Sequence, residues 1–181
     1  RYGGWIEKDK IIINSTKKKF NMTIHNLALQ GTHNIYNSMA ASIAATSIGI
    51  KDSVIKKALA NFKGVEHRLE FVAKVSGVNF INDSKATNCN AVYYALDSIN
   101  TPIIWICGGV DNGNKYKNLK RFVAEKVKSI VYLGGSPKKI ESAFKSTVQD
   151  FTVVNTMKEA VRYAHINANV GDTCLLYTSP S

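Results

Sequence analysis

The chain has 181 residues, 45% hydrophobic and 20% charged, a balance typical of globular domains and outside the disordered or collagen-like classes. No stretch approaches the ~18 consecutive apolar residues of a membrane span. The three cysteines, Cys89, Cys107 and Cys174, lack C-x-x-C spacing, which argues against a disulfide framework or zinc site and for a reducing compartment, the cytoplasm. The formal charge of +11 comes from Lys far more than Arg, scattered apart from Lys17-Lys18-Lys19. These cations are not interleaved with aromatics and form no recognition-helix pattern, so they support a nucleic-acid module only weakly.

The length allows one α/β domain, or one domain with part of another. The start, Arg1-Tyr2-Gly3-Gly4-Trp5, is neither an initiator methionine nor a signal peptide and reads as a cut edge. Short strands are predicted at Tyr2–Ile6, Lys10–Ile13 and Met22–Ile24. Ile35, Met39, Ile43 and Thr46 then recur at helical spacing, with Gly49 ending that helix. Asp52 and Ser53 are expected to cap a second helix whose buried stripe is Val54/Ile55, Ala58/Leu59 and Phe62. A domain boundary is placed at Gly64-Val65.

Beyond it, Phe71–Val75 and Val78–Ile81 flank Ser76-Gly77 as a tight hairpin. Strands at 102–107, 129–133, 151–154 and 172–176 alternate with helices near 116–127, 137–144 and 157–166. Such alternation predicts an α/β fold with a mostly parallel sheet. Three loops follow strands and are expected near one edge of that sheet: Asn82–Asn88, Gly108–Asn114 and Gly134–Ser136.

The first of these loops packs a carboxylate, an ammonium, hydroxyls and amides into Asn82-Asp83-Ser84-Lys85-Ala86-Thr87-Asn88. Asp83 suits a ribose hydroxyl or a water-bridged metal, and Lys85 a carboxylate or phosphate. Thr87 adds a hydroxyl and Asn88 an amide at a helix start. On polarity alone, an Asx-turn with a helix cap and Lys85 in solvent accounts for the same residues.

The exact string resembles the signature that opens the C-terminal domain of D-glutamate-adding ligases of the Mur family. Gly31-Thr32-His33-Asn34-Ile35-Tyr36-Asn37, followed by Ala40-Ala41, resembles the segment closing the family's central domain. Gly64-Val65-Glu66-His67-Arg68-Leu69-Glu70 resembles its hinge. The resemblance covers essentially residues 1–176. It implies a Rossmann-like, mostly parallel C-terminal domain with an initial hairpin (65–181, truncated at its end). This is preceded by the C-terminal part of a mixed α/β ATP-binding domain (1–64). It assigns Asn34, Asn37, Arg68 and Asp83 to ATP, and Lys85, Thr87 and Lys115 to D-glutamate, with no metal ligand singled out. Read from the residues alone, Asn34 would cap a helix, Arg68 would pair with Glu66 or Glu70, and His67 would be structural.

What the resemblance implies is ATP-driven, Mg²⁺-assisted joining of D-glutamate to UDP-N-acetylmuramoyl-L-alanine through an acyl phosphate. This is a cytoplasmic step of peptidoglycan synthesis performed by a monomer, with no nucleic-acid or membrane partner. Two features depart from the family pattern. Asn112 stands where a lysine is usual, so that either Lys115 substitutes or glutamate binding is weakened, and Tyr177–Ser181 reads as a truncated or foreign tail. No G-x-x-x-x-G-K-[ST] phosphate loop occurs in the 181 residues, so the polypeptide alone is expected to be inactive. Folylpolyglutamate synthesis is the alternative within the superfamily, and a basic nucleic-acid-binding module is the alternative outside it.

Overall fold

The computed structural model describes residues 2–16, 18–86, 88–109 and 116–178, in two compact units, Arg1–Gly64 and Val65–Ser181. The first unit begins with an antiparallel meander: β1 (Gly3–Glu7), β2 (Lys10–Asn14) and β3 (Lys19–Thr23). Alternation decides its buried face. Ile11 and Ile13 on β2 stand opposite Met22 and Phe20 on β3, and all four are buried, as period-two side chains on one face of a sheet must be. Lys19–Met22 belong to β3, which therefore starts earlier than the predicted strand.

α1 (Thr32–Ser47) turns Ile35, Met39 and Ile43 against that core, as the spacing predicts. α2 (Asp52–Asn61) does so only in part. Ile55 is buried and Leu59 packs beside it, whereas Val54 and Phe62 are 54% and 49% exposed, and Ala58 is exposed too. The expected stripe combined two adjacent columns of the helix, and only the i, i+4 pair Ile55/Leu59 faces the sheet. The helix also lacks a side-chain cap. Asp52 lies in its first turn and pairs with Lys18 at 2.5 Å.

The second unit opens with the predicted hairpin, β4 (Glu70–Val75) and β5 (Val78–Asn82). Ser76 and Gly77 both have positive φ, 50° and 82°, the requirement of a two-residue turn that matches strand twist. Then follow α3 (Cys89–Ser98), β6 (Ile103–Gly108), α4 (Lys120–Lys126), β7 (Val127–Leu133), α5 (Lys138–Phe144), β8 (Asp150–Val154), α6 (Met157–Asn167) and β9 (Thr173–Thr178). The sheet order is β4-β5-β9-β6-β7-β8. Only β4–β5 pair antiparallel; the remaining neighbours are parallel.

β6 is buried from Ile103 to Cys107, because helices cover both faces of a parallel sheet. Side chains of α3, α4 and α5 share one core with Trp105, Ile130 and Leu175. α6 covers the other face, through Ala160 and Ala164 against Ile104, Ile106 and Val131. Thr156 and Glu159 form a capping box at the start of α6, satisfying main-chain donors in both directions.

As expected, the loops after β5, β6 and β7 all leave the carboxyl edge of the sheet, because these strands run parallel; β9 enters between β5 and β6. Sequence order does not reveal that a late strand inserts between early ones. Tyr177 and Thr178 extend β9 opposite Cys107 and Gly108 of β6, and Tyr177 packs 6.2 Å from Trp105, ring to ring.

Candidate functional site

The loop after β5 is built by its own polar side chains. Asn82 Oδ1 accepts the Ser84 N–H at 3.1 Å, an Asx-turn that bends the chain as it leaves the strand. Asn88 closes the loop, its side-chain oxygen accepting from the N–H groups of Asn90 and Ala91 as the N-cap of α3. Between them Ala86 is buried and Lys85 is exposed. The Asx-turn and the helix cap are therefore both present, and they display Lys85 at the carboxyl edge of the sheet.

Asp83 is the buried member, 6% exposed. Its N–H donates to the Leu176 carbonyl on β9 at 2.8 Å, and its Oδ1 accepts the Leu69 N–H at 3.1 Å. Burial pushes the Asp83 carboxyl up to about 6, while the Leu69 N–H and the Arg68 charge pull the other way. Tyr177 on β9 is pushed up to about 12, chiefly by burial, then by Cys89, Cys107 and Asp83. A buried carboxylate with this environment, on a loop at strand carboxyl ends, is a candidate functional group.

The segment entering β4 is strained. His67 and Leu69 have φ of 65° and 45°, a region that side chains other than glycine occupy only at a cost of about 1–3 kcal/mol each. Contacts to the loop hold it. Lys85 N–H donates to the His67 carbonyl at 3.0 Å, and the Asn82 amide nitrogen lies 2.8 Å from His67 Nδ1. Glu70 serves His67 as well, accepting its main-chain N–H at 2.9 Å and approaching its Nδ1 at 3.5 Å. Among the described residues Arg68 forms neither of the ion pairs expected from the residues alone, to Glu66 or to Glu70, and Glu70 engages His67 instead. Arg68 is exposed, with its charge felt by Asp83. His67 is embedded in this lattice of contacts, consistent with a structural residue.

The structure thus brings Arg68, Asp83 and Lys85 together. Asn34 and Asn37 lie one turn apart on α1 in the other unit. Asn34 does not cap that helix. The N-cap is Gly31, and the Asn34 amide reaches back to the Gln30 carbonyl at 2.8 Å. Thr87, Asn112 and Lys115 lie outside the described residues. The second and third loops are tied by Tyr132, whose hydroxyl shares its one proton between the Gly109 and Ser136 carbonyls at 3.3 and 3.2 Å. Gly108 lets β6 approach β7, because a Cβ there would stand 2.2 Å from the Leu133 carbonyl oxygen.

Sequence reasoning missed Leu69, Leu176 and Tyr177. Leu69 and Leu176 contribute main-chain groups, for which residue type carries no signal. Tyr177 was discoverable, since Cys174-Leu175-Leu176-Tyr177-Thr178 has the aromatic and β-branched character of a continuing strand.

The family described as Mur ligase, glutamate ligase domain, matches residues 67–179, a range that includes Tyr177 and Thr178. A UDP-N-acetylmuramoylalanine--D-glutamate ligase of Christiangramia forsetii is 46% identical over 174 residues, 96% of this chain and 39% of that protein. The chain thus spans about two fifths of the length of the curated relatives it matches. Among solved structures, a UDP-N-acetylmuramate-alanine ligase of Thermotoga maritima aligns with TM-score 0.71 at 18% identity, over 95% of this chain and 40% of that one. A bifunctional folylpolyglutamate synthase/dihydrofolate synthase of Yersinia pestis aligns with TM-score 0.68 at 14% identity, over 93% of this chain and 41% of that one. The names on these two structures differ in substrate, so the shared architecture does not choose one.

Proposed function

Since this chain belongs to the Mur ligase family, we propose that its whole protein joins D-glutamate to UDP-N-acetylmuramoyl-L-alanine at the expense of ATP, in the cytoplasm and as a monomer. The observation that carries this reading is the joined unit of Arg68, Asp83 and Lys85, presented by a hinge that resembles the Mur family's and by a loop that resembles the D-glutamate-adding members. The 46% identity to a ligase of that name supports the same choice of substrate. In this reading residues 1–64 are the end of the ATP-binding domain and residues 65–181 belong to the C-terminal domain.

A carboxylate is a poor electrophile, and phosphorylation by ATP would turn it into an acyl phosphate that the glutamate amine attacks. This chain's contribution is charge and position. Arg68 would grip phosphate oxygens with its planar fork of donors, and Asp83 would face the nucleotide. Asn34 and Asn37 would offer amides to the purine or its sugar. Lys85, with Thr87 and Lys115, would hold the glutamate carboxylates. Among the described residues no group of three or more His, Cys, Asp or Glu side chains could hold a metal ion. The roles proposed for Arg68, Asp83 and Lys85 do not depend on where the Mg²⁺ that accompanies ATP is held.

The test is an assay of the whole protein with UDP-N-acetylmuramoyl-L-alanine and ATP, comparing D-glutamate with other amino acids and with a folate acceptor. Selective turnover of D-glutamate is expected, and preference for a folate acceptor would move the protein to the folylpolyglutamate branch. The 181-residue chain lacks a phosphate-loop sequence and is expected to show no ATP hydrolysis or ligation by itself. A nucleic-acid role would instead require DNA or RNA affinity falling steeply with salt.

A further inference from the structure

The segment before β4 holds two left-handed residues that are not glycine, His67 and Leu69, flanking Arg68. Such a turn persists only where its surroundings over-determine it. Its restraints converge on the loop after β5: the Lys85 N–H on the His67 carbonyl, the Asn82 amide beside the His67 ring, and Asp83 on the Leu69 N–H. Of these, only the last joins a buried carboxylate to the strained backbone itself. We propose that Asp83 is a positioning residue: its carboxylate holds the Val65–Leu69 segment in its strained turn, and so fixes where the Arg68 guanidinium stands beside the Asn82–Asn88 loop. The proposal rests on the ligase reading only for the task given to Arg68.

The bond is strongest when Asp83 is ionised, because hydrogen bonds to a charged acceptor are roughly twice as strong as neutral ones. Its carboxyl titrates near 6, so the hold on Leu69 slackens as the solution is acidified through that range. The charged and titratable groups around it are Arg68, His67 and Glu70 on the entering segment, Lys85 on its own loop, Tyr177 on β9, and Cys89 and Cys107 beyond Tyr177. His67 lies in the same turn and contacts the same loop, so its contribution must be separated from that of Asp83 in any pH experiment.

The experiment uses the 181-residue chain, isotope-labelled, with no nucleotide or amino acid added. The Leu69 amide resonance and its hydrogen-exchange protection are followed from pH 4.5 to 8, together with the Asp83 carboxyl carbon. The Leu69 amide is expected to titrate with the Asp83 carboxyl and to be protected about tenfold more above that midpoint than below it. Asp83→Asn, which keeps an acceptor but no charge, should make both readings flat with pH. Asp83→Ala should remove the protection at every pH, and His67→Gln should leave the Leu69 titration in place. A Leu69 amide that titrates unchanged in Asp83→Asn, or that keeps its protection in Asp83→Ala, overturns the proposal. Should Asp83→Ala fail to fold, wild type against Asp83→Asn decides alone. Because no substrate is present, a failed ligase assay leaves this result standing, and the reverse holds too.

Discussion

The carboxylate of Asp83 and the main-chain N–H of Leu69 meet at 3.1 Å across 14 residues of sequence, tying the strained segment before β4 to the polar loop after β5. Two stretches that look independent along the chain are one structural unit in the fold. Arg68 and Lys85 are the charges that this unit displays.

The first prediction concerns stability against pH. The Asp83 carboxyl rises from 3.8 to about 6 on folding because it is buried. A raised carboxyl favours its neutral form in the native state. Its contribution to stability is therefore present below about 4 and is lost as the pH rises through about 6. Linkage sets an upper limit of about 3 kcal/mol on that loss. Asp83→Asn, neutral throughout, should unfold in urea with a flatter pH dependence and be about 1–3 kcal/mol more stable than wild type at pH 8. Equal stabilities at pH 8 would contradict it.

The second concerns Gly108. An added Cβ would lie 2.2 Å from the Leu133 carbonyl oxygen, which is backbone of the neighbouring strand and cannot rotate away. Gly108→Ala should force β6 and β7 apart at the carboxyl edge and cost about 3 kcal/mol or more, at the upper end of overpacking penalties. Thermal denaturation of wild type and variant side by side provides the measurement. A Tm within a degree of wild type would show that the strands separate without cost.

The third concerns Lys126, whose ammonium donates to the carbonyls of Leu96, Asp97 and Ile99 at 2.8, 3.0 and 2.7 Å. Those carbonyls end α3, where the helix has no further N–H groups to offer and its dipole favours a cation. Lys126→Met keeps an unbranched chain but removes the ammonium, which also stands 5.4 Å from the centre of the Phe122 ring, and strands the three acceptors. A loss of about 1.5–3 kcal/mol in denaturant unfolding is expected, typical of charged hydrogen bonds.

Much of this was legible in the residues. Ile103–Cys107 of β6 is an unbroken apolar run because helices cover both faces, and Ser76-Gly77 can take the positive φ a tight hairpin needs. The Asn82–Asn88 string contains its own turn and cap, and the sequence shows both. Less visible was anything decided by partners far away in sequence. The insertion of β9 between β5 and β6 leaves no local mark, and the exposed Val54 and Phe62 have the same spacing as residues that are buried. The partner of Asp83 is a main-chain N–H, which every residue but proline carries, so the motif identified the carboxylate but not what it holds.

The last prediction separates the charge of Arg68 from its place. Arg68 is exposed, so Arg68→Ala should change stability by no more than about 0.5 kcal/mol. Its charge is one of the two influences lowering the Asp83 carboxyl, and without it that carboxyl should titrate higher still, while burial and the Leu69 bond remain. Carbon-13 NMR of the 181-residue chain reads this directly, with an upward shift expected in Arg68→Ala and little change in Arg68→Lys. In the whole protein the same Arg68→Ala change should lower kcat/KM for ATP by about 10- to 100-fold, the loss of a charge-assisted pair of bonds to phosphate. There Arg68→Lys should recover only part, since a lysine supplies the charge without the planar fork. An upward Asp83 shift with unchanged ATP kinetics would keep the electrostatic coupling and remove Arg68 from the nucleotide.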